Sequence, residues 1–506
     1  MPEPFLSLKN LSFGYPSATK NLFERVNVHF PVGWTGIVGA NGVGKTTLMR
    51  LAVGLLEPDS GKIAASGQAV YCEQRTDAPP CDFAVFLADS ARAAVLWKSR
   101  LGIEQDWLGR WETLSHGERK RAQIATALWK EPDILALDEP SNHIDAETRD
   151  LLAEALEDFR GVGLLVSHDR DLLDRLCEQC LFIDPPEVAM RNGGVSIGLS
   201  EDRRERDAAR ADDDNARHAL ERLGRERQRR KEEAEQSFAK STFSGIKKND
   251  NDAREKMRRG QVTGRDVSNS KKVTQLAGRM KHAEKDRESI RVKKEYETGI
   301  WLEADGYSQR AFVFKSPASS IMLGDARKLV FPELAIRPQD KIALTGPNGA
   351  GKSTLVQYIL EHLNLEPDKV VYVPQEVTAD EASALAERVR NLDNAVRGRL
   401  MTCVSRLGSR PGRLAESSSP SPGEVRKLML AMGIARNPHL IVMDEPTNHM
   451  DLPSIECLEE ALQGCPCALL MVSHDHVFLS KITEIEWHIE ADGSESRLTI
   501  GYVAGT

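Results

Sequence analysis

The chain has 506 residues and a mass of 56.1 kDa, which at about 150 residues per domain predicts roughly three domains. Hydrophobic residues make up 40% and charged residues 28%, enough apolar matter to bury a core, so wholesale disorder is excluded. The net charge is −8, from 68 Lys and Arg against 76 Asp and Glu, which taken whole argues against a nucleic-acid partner unless a basic segment hides in the average.

No run approaches the roughly 18 apolar residues that a membrane helix needs, and the opening MPEPFLSLKN lacks the basic and apolar regions of a secretory signal. Eight cysteines are too sparse for a disulfide scaffold. The close pairs Cys177 with Cys180 and Cys465 with Cys467 have no second pair at zinc-finger spacing, so they read as ordinary thiols rather than metal ligands. The expectation is a soluble cytoplasmic protein.

In chain order, Thr35 to Val38 is a short β-prone run leading into Gly39-Ala40-Asn41-Gly42-Val43-Gly44-Lys45-Thr46, and the residues after Lys45 read as a helix. Ile134 to Leu137 is a continuous apolar run, the pattern of a strand buried on both faces, and it ends at Asp138-Glu139-Pro140. Leu164 to Val166 is a further strand, followed by Ser167-His168-Asp169.

Composition changes at roughly 197–300. Residues 201–300 hold 28 Lys and Arg against 21 Asp and Glu, which leaves 40 against 55 elsewhere, and within 240–282 there are 12 basic residues and 4 acidic ones. Ala216, Leu220, Leu223, Ala234 and Phe238 fall at heptad-like intervals, interrupted by Arg227 and Arg230. Val273, Leu276, Met280, Ala283 and Ile290 do likewise, with Arg287 breaking the series. The pattern predicts two antiparallel helices sharing a narrow seam, about 60 Å long for some 40 residues. Gly245, Gly260 and Gly264 interrupt the basic stretch between them and mark a tip. A solvated charged spacer is the plain alternative, but the concentration of basic charge near the tip favours a binding role.

The first set of motifs then returns. Gly346-Pro347-Asn348-Gly349-Ala350-Gly351-Lys352-Ser353 follows the β-prone Ile342 to Thr345. Leu440 to Met443 ends at Asp444-Glu445-Pro446, and Leu469 to Val472 leads to Ser473-His474-Asp475. Three motifs recurring in one order at offsets of 306 or 307 mean two copies of one domain. Strands joined by helical crossovers put functional loops at strand C-termini, where all these motifs fall.

The pattern G-x-x-x-x-G-K-[ST] is a phosphate-binding loop. Its glycines let backbone N–H groups converge on phosphate oxygens, and the following helix N-terminus adds positive potential. Lys45 and Lys352 would reach the β- and γ-phosphates, and Thr46 and Ser353 would offer hydroxyls to Mg²⁺. Asp138 and Asp444 stand where a magnesium-supporting carboxylate is expected, and Glu139 and Glu445 where one could polarise water. His168 and His474 could contact the γ-phosphate.

With these residues in place the chain resembles the ATP-binding cassette family with two nucleotide-binding domains. The family signature is matched by Leu114-Ser115-His116-Gly117-Glu118 and by Pro420-Ser421-Pro422-Gly423-Glu424, its glutamine loop by Gln74 and Gln375, and its D-loop by Asp145 and Asp451. The resemblance implies an α/β fold: two P-loop ATP-binding cassette domains joined by a long antiparallel α-helical hairpin linker. It places the first cassette at 1–196, the hairpin at 197–300 and the second cassette at 301–506. It implies catalytic roles for Glu139, Glu445, His168 and His474. ATP binding would fall to Tyr15, an adenine-stacking candidate, to Gly39, Asn41, Gly42, Gly44, Lys45, Thr46 and Thr47, and to Gly346, Asn348, Gly349, Gly351, Lys352, Ser353 and Thr354. The opposite cassette would add Ser115, Gly117 and Glu118, or Ser421, Gly423 and Glu424. Mg²⁺ would be held by Thr46, Gln74, Asp138, Ser353, Gln375 and Asp444. Tyr15 has no clear counterpart in the second copy, where Phe331 is the guess. His116, Pro420 and Pro422 depart from the family pattern. A proline at 422 removes an N–H from the signature, so the two sites are expected to hydrolyse ATP unequally.

Two cassettes in one chain, no membrane segment and a charged hairpin between them resemble the ABC-F subfamily, as do Ser-Asn-His143-Ile-Asp and Thr-Asn-His449-Met-Asp. Only 41 positions separate Gln74 from Ser115 and 46 separate Gln375 from Ser421, leaving no room for an added arm. The chain ends 32 residues after His474, without a coiled extension. Short cassettes with a long hairpin look like the antibiotic-resistance members of the Lsa and Vga type. The resemblance implies a ribosomal partner bound at the exit-tRNA site, with the hairpin directed to the peptidyl-transferase centre, rRNA and tRNA contacted by Arg258, Arg259, Lys271 and Lys272, and a monomer whose cassettes pair head to tail around ATP and Mg²⁺. The alternatives are a housekeeping translation factor, a DNA-acting ATPase, or a transporter ATPase subunit.

Overall fold

The apolar run Ile134–Asp138 is buried along its whole length, and so is its counterpart Leu440–Asp444. Strands buried on both faces belong in the interior of a parallel sheet, and each of these lies one strand in from the sheet's edge. In the first cassette the strands run in the order Ala69–Cys72, Ile134–Asp138, Val162–Val166, Gly33–Gly39, Cys177–Asp184 and Glu187–Asn192, parallel except for the last pair. The second cassette repeats that order with Val370–Val373, Leu440–Asp444, Ala468–Val472, Lys341–Thr345, Ile485–Asp492 and Glu495–Tyr502. The repeat read from the motifs is thus a repeat of topology.

The copies differ at their antiparallel margins. In the first, Phe23–Phe30, Leu6–Phe13 and Ser60–Ala65 form a separate three-stranded sheet. In the second, Ser319–Leu323 and Arg327–Phe331 pair with each other and join the main sheet through Lys328 to Val330. Each P-loop helix, Lys45–Ala52 or Lys352–Glu361, is packed into the core beneath these strands: Leu48 and Met49 in one copy, Leu355 and Ile359 in the other, are fully buried.

These statements concern residues 3–16, 20–142, 144–185, 187–241, 265–289, 308–324, 327–409, 421–493 and 495–502, which the computed structural model describes. They divide into one compact unit containing both cassettes, 1–198 with 296–506, and a second unit, 199–295.

The second unit is the helical insert. The helix Val195–Ser241 has 47 residues, about 70 Å at 1.5 Å per residue, and its partner is Arg265–Ser289. Asp213 meets Arg287 while Arg227 stands 3.9 Å from the Met280 sulfur, so the helices run antiparallel. Ala216, Leu220, Leu223, Met280 and Ala283 are half-buried along the seam and Leu276 is buried. Arg287, which breaks the apolar series in the sequence, closes the seam with a bidentate bridge to Asp213, at 2.7 Å from Nε and 3.1 Å from Nη2. The tip glycines, Arg258 and Arg259 lie outside the described residues. Lys271 and Lys272 lie on the backbone of the second helix, their side chains outside the description. Among the described residues no helix is long and apolar enough to cross a membrane.

Candidate functional site: two phosphate-binding loops facing the opposite cassette

Each P-loop leaves a central strand and enters a helix through glycines with positive φ: Gly42 at 78° and Gly44 at 103°, Gly349 at 75° and Gly351 at 105°. A side chain is strained there. At Gly39 and Gly346 a Cβ would lie within 2.5 Å and 2.4 Å of the carbonyl oxygens of Ile183 and Ile489, so these positions exclude any larger residue. Lys45 Nζ folds back to Gly39 O at 2.8 Å and Ala40 O at 3.3 Å. Lys352 Nζ does the same, 2.7 Å from Gly346 O and 3.1 Å from Pro347 O. Burial pulls both ammonium groups below the usual lysine range, against the nearby carboxylates, Glu139 at the first site and Glu445 at the second.

The carboxylates form a second layer. Thr46 Oγ1 donates to Asp138 Oδ2 at 2.8 Å and Ser353 Oγ to Asp444 Oδ2 at 3.1 Å. Burial pushes both aspartates up. Glu139 and Glu445 each sit in the left-handed region at φ 48°, held by N–H bonds of 2.8 Å to Val166 O and Val472 O. Strained non-glycine backbone of this kind persists where the surroundings over-determine it.

The two sites then diverge. His168 Nε2 lies 2.9 Å from Glu139 Oε1, whereas His474 Nε2 lies 3.7 Å from Glu445 Oε1 and 3.2 Å from Lys352 Nζ. Burial raises both glutamates. At Glu139 the charges of His168 and Lys45 outweigh it and hold the carboxyl below its ordinary value, while at Glu445 burial wins and the group is pushed up to about 8. Burial and then Lys352 pull His474 down to about 4. Tyr71 adds a further difference: its hydroxyl donates to Asp138 Oδ2 at 2.9 Å.

The signatures lie at helix starts. Ser115 and Ser421 cap His116–Trp129 and Pro422–Ile434, each in a capping box with the glutamate three residues on. Glu118 and Glu424 are therefore engaged by the caps, through Ser115 N at 2.7 Å and Ser421 N at 2.9 Å, rather than turned to the loops opposite. Pro422 occupies the first helical position, where its missing N–H costs the helix nothing; the loss is of an outward donor. Gly117 and Gly423 follow, and a Cβ at 423 would stand 3.0 Å from His449 O.

The cassettes meet head to tail. Asn41 N donates to Asp451 Oδ2 at 2.6 Å and Asn41 Nδ2 to His449 O at 3.2 Å. The reciprocal contact, Asn348 N to Asp145 Oδ2, is 3.5 Å. Ser115 and His116 share a cavity of about 720 Å³ with Lys352, Ser353, Thr354, Gln375, Asp444, Glu445 and His474. Gln74 is exposed at the other site.

Some placements were not foreseen. Phe331 is 1% exposed and packs on Tyr358 with ring centroids 5.6 Å apart, so it is a core residue and not a base-stacking one. Tyr15 is exposed, its hydroxyl 3.0 Å from Thr47 Oγ1. Arg426, buried behind the second signature, donates to the carbonyls of Gln375, Glu445 and Asn448 and ties three motifs together. Arg170 and Glu459 form a buried ion pair of 2.8 Å between the cassettes, and Lys481 Nζ reaches the other Glu459 oxygen at 2.8 Å. Arg149 Nη1 donates to His474 O at 3.3 Å across the same boundary.

Glu139 Oε2 and Glu445 Oε1 are buried without a hydrogen-bond partner, and Glu139 Oε1 faces only His168. Carboxyl oxygens left open beside a lysine, a hydroxyl and an aspartate fit a site completed by a phosphate-bearing substrate, its water and a divalent cation.

The ABC transporter family profile matches residues 23–142 and 332–448. The chain is 27% identical to the ribosome protection protein VmlR of Bacillus subtilis, over 98% of this chain and 88% of that one. It is 29% identical to the tylosin resistance ATP-binding protein TlrC of Streptomyces fradiae, over 93% of each. It is 27% identical to the ATP-binding protein Uup of Caulobacter vibrioides, over 97% and 78%. Among solved structures, the RNase-L Inhibitor superposes with a TM-score of 0.61 at 19% identity, covering 97% of this chain and 90% of the other. Archaeal ABCE1, in a model of the ribosome-bound complex with Pelota, gives 0.63 at 18%, covering 98% and 79%. These structural likenesses speak to the fold.

Proposed function

Starting from a chain that belongs to the ATP-binding cassette family as a tandem-cassette ATPase of the ABC-F branch, we propose that it acts on the ribosome as a protection factor. It binds the exit-tRNA site, directs its hairpin to the peptidyl-transferase centre and so confers antibiotic resistance. The observation that carries this is the pairing of two head-to-tail cassettes with an antiparallel helical insert whose central stretch is basic. Relatives named for ribosome protection and tylosin resistance support it.

In this reading the chain divides into cassette 1–196, hairpin 197–300 and cassette 301–506, and works as a cytoplasmic monomer. Each ATP lies between one P-loop and the opposite signature: Gly39 to Thr47 with Ser421 and Gly423, or Gly346 to Thr354 with Ser115 and Gly117. Thr46, Asp138 and Gln74 at one site, and Ser353, Asp444 and Gln375 at the other, would hold Mg²⁺, which when bound neutralises phosphate charge. Lys45 and Lys352 leave the loop carbonyls for phosphate oxygens. Glu139 and Glu445 orient the attacking water, and His168 and His474 stand at the γ-phosphate. Closure is favoured by whatever binds the closed form better, so ATP binding draws the cassettes together and hydrolysis releases them. Basic residues of the insert, Arg258, Arg259, Lys271 and Lys272, meet rRNA and tRNA phosphates, which makes binding fall with salt.

The test is the double variant Glu139→Gln with Glu445→Gln. It should accumulate on ribosomes in a sucrose gradient with ATP and not with ADP; absence from the ribosomal fractions sinks the proposal. Expression of the wild type in a drug-sensitive host should raise the inhibitory concentration of a lincosamide, pleuromutilin or phenicol. Ribosome binding without any such shift assigns a housekeeping translation role instead. The sequence leaves one further reading, an ATPase acting on DNA; preferential binding of branched DNA over ribosomes would establish it.

A further inference from the structure

The two sites share their phosphate chemistry but differ in what faces the nucleobase. At the first, the ring of Tyr15 stands edge-on to Phe13 with centroids 5.1 Å apart, its hydroxyl on Thr47, and it is 43% exposed. At the second, the wall beside the P-loop is made by Leu323, Gly324 and Arg327. No Phe, Tyr or Trp is among the described residues lining that cavity, and Phe331 is sealed in the core.

Leu323 and Arg327 flank the loop closely. A Cβ on Gly351 would meet Leu323 Cδ2 at 2.8 Å, and one on Gly349 would stand 3.9 Å from Arg327 Nη2. Arg327 is exposed, and its side chain makes no hydrogen bond or ion pair with any described residue. A guanidinium with no partner among the described residues, projecting at the mouth of a nucleotide cavity, is a group placed for a ligand.

We propose that Arg327 is the nucleobase contact of the second site, in place of a stacking ring, and that this site accepts guanine as well as adenine nucleotides. A planar guanidinium stacks on the face of either purine. Edge-on it offers five donors and no acceptor, which suits the O6 and N7 acceptors of guanine and opposes the N6 amino donor of adenine. The neutral ring of Tyr15 carries no such bias. The preference for ATP over GTP is therefore smaller at the second site than at the first. The inference rests on nucleotide binding by the second P-loop and is independent of any ribosomal role.

The experiment separates the sites. Lys45→Ala leaves the second P-loop intact and Lys352→Ala the first. Each protein is titrated with fluorescent mant-ATP and mant-GTP, and with inorganic tripolyphosphate as a competitor that has no base. The Lys45→Ala protein is expected to show the lower ATP-to-GTP ratio. Adding Arg327→Ala to it should weaken both nucleotides by about five- to thirtyfold, the size of a desolvated cation–π stack. Tripolyphosphate should compete as before, and Arg327→Tyr should restore ATP binding. An equal loss for tripolyphosphate makes Arg327 a phosphate ligand and overturns the proposal. Unchanged nucleotide affinity, or equal ATP-to-GTP ratios at the two sites, overturns it as well. Loss of all nucleotide binding in the Lys45→Ala protein before Arg327 is touched overturns the second site itself. That outcome is distinct from failure of the Arg327 contact.

Discussion

Glu459→Gln isolates the force that holds the cassettes together apart from nucleotide. Glu459 lies in the second cassette and Arg170 in the first, with exposures of 3% and 4% and an Nη1 to Oε1 distance of 2.8 Å. The substitution keeps the shape and removes the charge. Arg170 Nε and Nη2 already lack hydrogen-bond partners, so the guanidinium would be left buried with only the charge of Asp475 to offset it. Two charges at that separation interact by about 6 kcal/mol at an effective dielectric of 20, part of which desolvation has already consumed. Removing one member of a buried pair costs about 3–5 kcal/mol.

Water reaches both groups when the cassettes part, so the cost falls on the closed form. The closed-to-open equilibrium should drop roughly a hundredfold to several thousandfold, at 1.4 kcal/mol per tenfold. The assay is a distance measurement between one label on each cassette during an ATP titration, in the Glu139→Gln, Glu445→Gln background. The single variant should need far more ATP to close. Arg170→Met combined with Glu459→Leu should recover part of the loss, because it removes the unpaired guanidinium, while the half-exposed Lys481 can turn its ammonium to water. If Glu459→Gln closes at the parental ATP concentration, or the double replacement is no better than the single one, the ion pair is not what binds the cassettes.

Two other substitutions follow from the same geometry. Asp475 caps His476–Ile482 through Phe478 N at 2.8 Å, yet burial, with Asp169 and Glu459 adding to it, raises its carboxyl to about 6. An acid raised on folding is a penalty that is absent below its unfolded pKa and complete above its folded one. Asp475→Asn, which retains a capping side chain, should therefore raise the melting temperature at pH 7.5, by up to about 3 kcal/mol of stability. The advantage should vanish as the pH falls through 6 towards 4; a lower melting temperature at pH 7.5 would count against it. Tyr71→Phe removes the hydroxyl bonded to Asp138, and a hydrogen bond to a charged group is worth about 1.5–3 kcal/mol. First-site ATP binding should weaken about tenfold or more in a Lys352→Ala background. Tyr372→Phe in the Lys45→Ala background should change little, and equal effects would refute the distinction.

The strands that carry the motifs and the glycine loops were legible because each rests on local pattern, whereas the order of the strands was not. Glycine spacing dictates the loop at Gly39 to Lys45, and an unbroken apolar run ending in Asp-Glu dictates an interior strand. Glu459 was not legible: in a helix that also carries Glu456 and Glu460 it reads as one more solvated acid, and only the approach of Arg170 from the other cassette makes it a buried anchor. Arg287 looked like a fault in a heptad because its partner, Asp213, is 74 residues away. Phe331 failed as a base contact because an aromatic residue near a P-loop is as well suited to the core beneath it, and its strand turns it inward. Pro422 looked like damage to the signature until its place at the first helical position separated helix stability from phosphate contact.

The asymmetry of the molecule follows a pattern. The residues of the phosphate-binding loops and strand ends are duplicated: Lys45 and Lys352, Asp138 and Asp444, Glu139 and Glu445. At the boundary only some are: Asn41 with Asp451 is repeated by Asn348 with Asp145, but the arginine contacts are not. At an offset of 306, Arg149 corresponds to Ile455, Arg170 to His476 and Glu459 to Ala153, so the bonds of Arg149 to His474 O and of Arg170 to Glu459 have no mirror images. The shorter loop contact, 2.6 Å at Asn41 against 3.5 Å at Asn348, marks the first site as the tighter, and a cavity of about 720 Å³ lies at the second. Chemistry held constant while the interface varies is what a two-site machine needs if one site is to stay shut as the other exchanges nucleotide. Coupling then resides in the Arg170 and Glu459 bridge: weakening it should loosen the first site more than the second, because the first has the shorter contacts to lose.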